Sequence, residues 1–143
     1  MSDLVGWDGS TPLLGDEEVH VWSIALDGDV QEADSLLSRD ERARAARLCS
    51  PGLRNRFALA RAAMRRVLGL YLGADPASLT IEQGEYGKPF LRDDRLLHFN
   101  ISHSEALAVL AVTRMSEVGI DVERLRFVED LRALLQRWID LAK

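Results

Sequence analysis

The stretch from Pro51 to Gly73 constrains the fold of this chain more than any other. Leu53, Phe57, Ala60, Met64, Val67, Leu68 and Tyr71 recur at three- and four-residue spacing, which places them on one face of a helix. Pro51 suits the first helical position and Gly73 suits the stop. Such a helix needs a partner surface, and the remaining sequence offers short strands rather than more helices of that length.

Residues 19–26 alternate and are rich in β-formers, so they read as a strand. Leu79–Gln83, His98–Ser102, Ala106–Thr113 and Val118–Glu123 read as further short strands separated by turn residues. Ser38-Arg39-Asp40-Glu41 has the form of a capping box and opens a helix to about Leu48. Val128–Ala142 reads as an amphipathic helix with Leu131, Leu134, Leu135, Trp138 and Leu141 on one face. The expected fold is therefore α+β, a small, mostly antiparallel sheet packed by the long helix. Residues 1–18 are expected to be a flexible N-terminal tail ahead of one subdomain over 19–143. The apolar face of the last helix predicts dimerisation or another partner chain.

At 143 residues the chain can bury a core without covalent staples. Its one cysteine, Cys49, permits no intramolecular disulfide, and neither a zinc spacing nor a C-x-x-C pair is present. A reducing, cytoplasmic compartment is the matching expectation. The acidic N-terminus lacks the pattern of a secretory signal, and no run of 18 apolar residues occurs, so neither membrane spanning nor secretion is expected.

Net charge is -5, yet nine arginines (39, 42, 44, 47, 54, 56, 61, 65 and 66) face only Asp40 and Glu41 between residues 39 and 66, a local balance of +7. This stripe reads either as a solvated helix face or as a device for steering a compact polyanion. Arg54, Arg61 and Arg65 share a side of the long helix beside its apolar stripe, where they could line a groove. Nucleic acid is not the expected partner, because the chain as a whole is acidic and no interleaved aromatics accompany the arginines.

Three short segments carry candidate chemistry. Lys88, one of two lysines against sixteen arginines, lies in Tyr86-Gly87-Lys88-Pro89, a turn that presents a point charge suited to phosphate. Ser102-His103-Ser104 groups two hydroxyls, an imidazole and turn amides that could hold phosphate oxygens. The G-x-S-x-G pattern of a serine hydrolase is absent. Asp121 and Glu123, two apart on an expected strand, project from one face and form an all-oxygen pair suited to Mg2+ or, equally, to a solvated edge. His20 and His98 read as structural.

Y-G-K-P, F-N-I-S-H-S and G-I-D-V-E, in this order after a helix carrying Phe57, Arg61 and Arg65, resemble the 4'-phosphopantetheinyl transferase superfamily of the surfactin-synthetase-activating type. The resemblance runs from about Val19 to Arg126. It implies transfer of the phosphopantetheine arm of coenzyme A to a serine of an apo acyl or peptidyl carrier protein, with release of 3',5'-adenosine bisphosphate. It further implies that Lys88, Ser102 and His103 contact the phosphates of coenzyme A, that Arg61 and Arg56 take the 3'-phosphate, and that Asp121 and Glu123 hold catalytic Mg2+. The second half of that family carries a W-x-x-K-E-A-x-x-K motif that this sequence does not contain. The resemblance thus covers the N-terminal half. The missing half would supply the remaining metal ligand or base, and three readings stay open: a truncated or fragmentary gene product, a second half on a separate chain, or two copies that rebuild a site. The alternative function is a truncated, non-catalytic coenzyme-A-binding half that needs a second chain.

Overall fold

The computed structural model describes residues 4–125 together with 135, 136 and 139. The long helix, α3 (Pro51–Leu72), forms as its sequence dictates. Ser50 caps it by accepting from the Leu53 amide, Pro51 occupies its first turn, and Gly73 ends it in the left-handed conformation at φ 59°. Two short helices precede it. In α1 (Val30–Leu36) the Asp29 carboxylate accepts from the amides of Gln31 and Glu32. In α2 (Arg39–Ala46) the expected capping box is complete, with Ser38 and Glu41 each accepting from the other's backbone amide.

The helix α3 is enclosed on more than one face. Met64, Val67 and Leu68 are fully buried in the core shared with the sheet, Ala58, Ala62 and Ala63 are enclosed as well, and α1 and α2 pack against the same helix. Small side chains at these positions permit the close approach. Each large apolar side chain so enclosed stabilises the fold by about 1.5–3 kcal/mol relative to exposure.

The sheet has three antiparallel strands in the order β1 (Val19–Ala25), β5 (Leu107–Thr113) and β4 (His98–Ser104). In register, Ile24 faces Ala108, Leu110 faces Ile101, and Val112 faces Phe99. These residues belong to the core with α3, so by alternation His103 projects to the helix side and Asn100, Ser102 and Ser104 to the other side. A separate hairpin joins β2 (Ile81–Gln83) to β3 (Pro89–Leu91). His20 has the structural role expected of it: its Nδ1 lies 2.7 Å from the Tyr71 hydroxyl, which also accepts from Trp22 Nε1 at 2.9 Å.

Near the N-terminus, Leu4 is 5% exposed, bridges Ile24 and joins the core, while Trp7 packs edge-on against Trp22. Three expectations need correction. Residues 118–123 form no strand ladder; the segment lies beside β4 on side-chain bonds, as described below. Strand β4 continues through Ser104, because β5 pairs with it up to a two-residue tip. Arg65 lines no groove: its side chain is 1% exposed, with Nε 2.8 Å from Glu41 Oε2 and Nη1 donating to the carbonyls of Pro76 and Leu79. The helix expected over 128–142 lies outside the described residues except at 135, 136 and 139, which are helical and exposed. Among the described residues no helix is long and apolar enough to cross a membrane.

Candidate functional site

Strand β4 is an edge strand, so groups on both of its faces can converge on a ligand lying along its rim. On the helix side, His103 stands close enough to Arg61 and Arg56 to feel both charges. Its pKa is lowered by desolvation of the ring first and then by Arg61 and Arg56. The Arg61 pKa is lowered as well, by burial and then by the neighbouring Arg44 cation, with Glu41 acting in the opposite sense. Arg61 and Arg44 both approach the Phe57 ring, with guanidinium carbons 5.2 and 5.7 Å from its centroid. This stacking holds two like charges together through the quadrupole of the ring. Arg56 contacts Glu105 at 3.7 Å, and the other Glu105 oxygen lies 3.6 Å from Arg124. Glu105 forms the tip of the β4–β5 hairpin at φ 54°, a conformation that favours glycine.

On the opposite face, the Ser102 hydroxyl donates to Asp121 Oδ1 at 2.9 Å and accepts from the Val122 amide at 3.2 Å. Asn100 Oδ1 accepts from the Ile120 amide at 3.1 Å, and Ser104 Oγ from the Arg124 amide at 3.2 Å. Asp121 and Glu123 are exposed on this segment. Among the described residues no group of three or more His, Cys, Asp or Glu side chains could enclose a metal. The two carboxylates nevertheless form an all-oxygen donor set that fits Mg2+, an ion that takes one or two carboxylates and completes its shell with phosphate oxygens and water.

Lys88 stands apart from both groups. It lies in the β2–β3 hairpin and lines a cavity of about 370 Å3 with Glu85, Tyr86, Phe90, Arg95 and His98, at the end of β4 opposite His103. The hairpin loop is closed by a bond from the Gly84 amide to the Lys88 carbonyl, and Tyr86 and Gly87 both adopt positive φ.

Of the residues singled out from sequence, then, Arg56, Arg61 and His103 gather on one face of β4, and Ser102 and Asp121 bond on the other. Glu123 follows on the same segment, while Lys88 sits in a separate cavity. Ser102 and His103 occupy opposite faces because they are consecutive in a strand. Sequence reasoning did not separate Arg44 from the other arginines, and the i, i+17 proximity of Arg44 to Arg61 is set by the packing of α2 on α3. It gives Asn100 and Glu105 no role and Ser104 that of a phosphate contact, although the N-x-S-x-S alternation in β4 is visible.

The family model described as "4'-phosphopantetheinyl transferase, N-terminal" matches residues 22–115. The 4'-phosphopantetheinyl transferase HetI of Nostoc sp. is 42% identical over 132 residues, covering 88% of this chain and 55% of that protein. A 4'-phosphopantetheinyl transferase of Bacillus subtilis is 43% identical over 54 residues, 38% of this chain and 24% of its own length. The 4'-phosphopantetheinyl transferase gsp of Aneurinibacillus migulanus is 38% identical over 66 residues, 46% and 27% of the respective chains. The chain thus spans at most about half the length of these relatives.

Proposed function

The chain belongs to the 4'-phosphopantetheinyl transferase family, matching its N-terminal part, and from that premise we propose that it serves Mg2+-dependent transfer of the phosphopantetheine arm of coenzyme A to a serine of an apo acyl or peptidyl carrier protein, in the cytoplasm. The serine oxygen forms a bond to the phosphorus that bears the pantetheine arm. The pyrophosphate P–O bond breaks, 3',5'-adenosine bisphosphate leaves, and the serine proton passes to a base.

The observation that carries this reading is the crowding of like charge around His103. Beyond the leading effect of desolvation, Arg61 and Arg56 lower the His103 pKa and Arg44 lowers that of Arg61, a repulsion that a multiply charged phosphate would relieve. Arg61 and Arg56, with Arg44 beside them, would take the 3'-phosphate, and Lys88, Ser102 and His103 the other phosphates of coenzyme A. Asp121 and Glu123 would hold Mg2+, which when bound draws charge from the pyrophosphate. Ser102 orients the Asp121 carboxylate through its hydroxyl.

A second reading is favoured by the donor set, in which among the described residues no third carboxylate joins Asp121 and Glu123. In it this chain is a coenzyme-A-binding half that acts only with a second chain or a second copy. One experiment covers both: the 143-residue chain is incubated with coenzyme A, Mg2+ and an apo carrier protein, and the carrier is weighed by intact mass spectrometry. One added phosphopantetheine, abolished by Asp121→Ala, supports transfer by this chain. Bound coenzyme A, weakened by Lys88→Ala, with no change in carrier mass supports the binding half. Neither binding nor transfer refutes both.

A further inference from the structure

The alternate side chains of β4 meet the alternate amides of residues 120–124 at a constant offset. Asn100 bonds the Ile120 amide, Ser102 that of Val122, and Ser104 that of Arg124, at 3.1–3.2 Å. We propose that Asn100 and Ser104 are positioning residues which, with Ser102 between them, form a side-chain ladder that fixes the spacing of Asp121 and Glu123 for a divalent cation. The proposal rests on the reading of these two carboxylates as cation ligands.

A backbone ladder would join the two segments through main-chain groups on both sides. Here all three acceptors are side-chain atoms of one strand, and all three donors are amides of every second residue of the other segment. The period of two means that residues 120–124 run extended and parallel to β4, which brings Asp121 and Glu123 to the same side. Two carboxylates so placed repel each other, and an unsupported segment would relieve the repulsion by turning one of them away. Three bonds remove that freedom. The central one is bifunctional, because the Ser102 hydroxyl accepts from the Val122 amide and gives its proton to Asp121 Oδ1. Beyond the last rung, Glu105 reaches Arg124 at 3.6 Å and Arg56 at 3.7 Å, linking the end of the segment to α3. Glu105 does so from a hairpin position at φ 54°.

The test is Mn2+ titration of the 143-residue chain, followed by water-proton relaxation, together with amide hydrogen exchange at Ile120 and Arg124. Asn100→Ala and Ser104→Ala are each expected to raise the Mn2+ Kd about five-fold and to speed exchange at Ile120 and Arg124 respectively. Ser104→Thr, which keeps the hydroxyl, should return the Kd to within about two-fold of the parent. A purely structural role would lower the thermal midpoint and leave the Kd of the folded chain unmoved, and that result overturns the proposal. Unchanged exchange at both amides overturns it as well. If the parent chain shows no Mn2+ binding that Asp121→Asn removes, the cation reading fails and takes the ladder's purpose with it. That outcome is distinguished from the others because Asp121→Asn then has no effect. Should Asn100→Ala fail to fold, the Ser104→Ala and Ser104→Thr pair decides alone.

Discussion

Replacing Arg65 by leucine is expected to weaken the fold severely while sparing phosphate binding, even though Arg65 lies one helical turn from Arg61. The Arg65 side chain is 1% exposed and its partner Glu41 8%, with 2.8 Å between Nε and Oε2. Its Nη1 also holds the carbonyls of Pro76 and Leu79 at 3.1 and 2.8 Å. Leucine would leave the Glu41 carboxylate enclosed without the Arg65 cation, and among the described residues Glu41 Oε1 already has no hydrogen-bond partner. Removing one member of a buried ion pair costs about 3–5 kcal/mol. At roughly 2–4 °C per kcal/mol for a domain of this size, the thermal midpoint should fall by about 6–20 °C. That is a large share of the roughly 5–15 kcal/mol that holds a domain together. Urea denaturation of the parent, Arg65→Leu and the double variant Glu41→Met/Arg65→Leu measures it. The double variant should recover part of the loss, because an apolar pair needs no counter-charge. Arg61→Ala should do the reverse, lowering affinity for 3',5'-adenosine bisphosphate with a smaller change in stability, since Arg61 stacks on the Phe57 ring while the buried ion pair of Glu41 is made by Arg65. An Arg65→Leu chain that melts within about 3 °C of the parent but no longer binds the nucleotide would refute this division of labour.

Two further outcomes follow from the geometry. The folded-state pKa of His103 lies below its ordinary value, so the unfolded chain takes up a proton at higher pH than the folded one does. Stability from this source is complete above about pH 6.5 and declines as pH falls toward the folded pKa. His103→Gln should therefore flatten the fall in urea midpoint between about pH 7.5 and 5.5, and an unchanged slope would remove His103 as its source. Gly69→Ala would place a Cβ 2.7 Å from the Ala74 carbonyl oxygen, a backbone atom that cannot swing aside. Despite the better helix propensity of alanine, a net loss of about 1–2 kcal/mol is expected; a thermal midpoint at or above that of the parent would count against the contact.

Local chemistry is legible along this sequence wherever one short segment decides the outcome. The limits of α3 follow from Ser50, Pro51 and Gly73, the α2 cap from Ser38 and Glu41, and the strand at 107–113 from its apolar run even though alanine and leucine favour helix. In that last case pairing on both sides, with β1 and β4, overrides propensity. Helix α1 is not set off by the apolar pattern, although Asp29 and Glu32 carry its start signal, and β3 is masked because Pro89 reads as turn when seen alone. The family is likewise legible in the sequence by itself.

Tertiary packing decided what each charge does. Arg61 and Arg65 share a helix, a residue type and a four-residue spacing, yet one stacks beside Arg44 near His103 and the other is sealed against Glu41. Sequence periodicity gives the angle at which a side chain leaves its helix and is silent about what stands there. The same holds for residues 118–123, whose alternation resembles a strand but whose amides meet side chains of β4 in place of a backbone edge. A period of two determines which residues share a face. Whether a neighbouring backbone or a row of side-chain oxygens satisfies the amides depends on how far the two segments stand apart, and only the folded chain sets that distance.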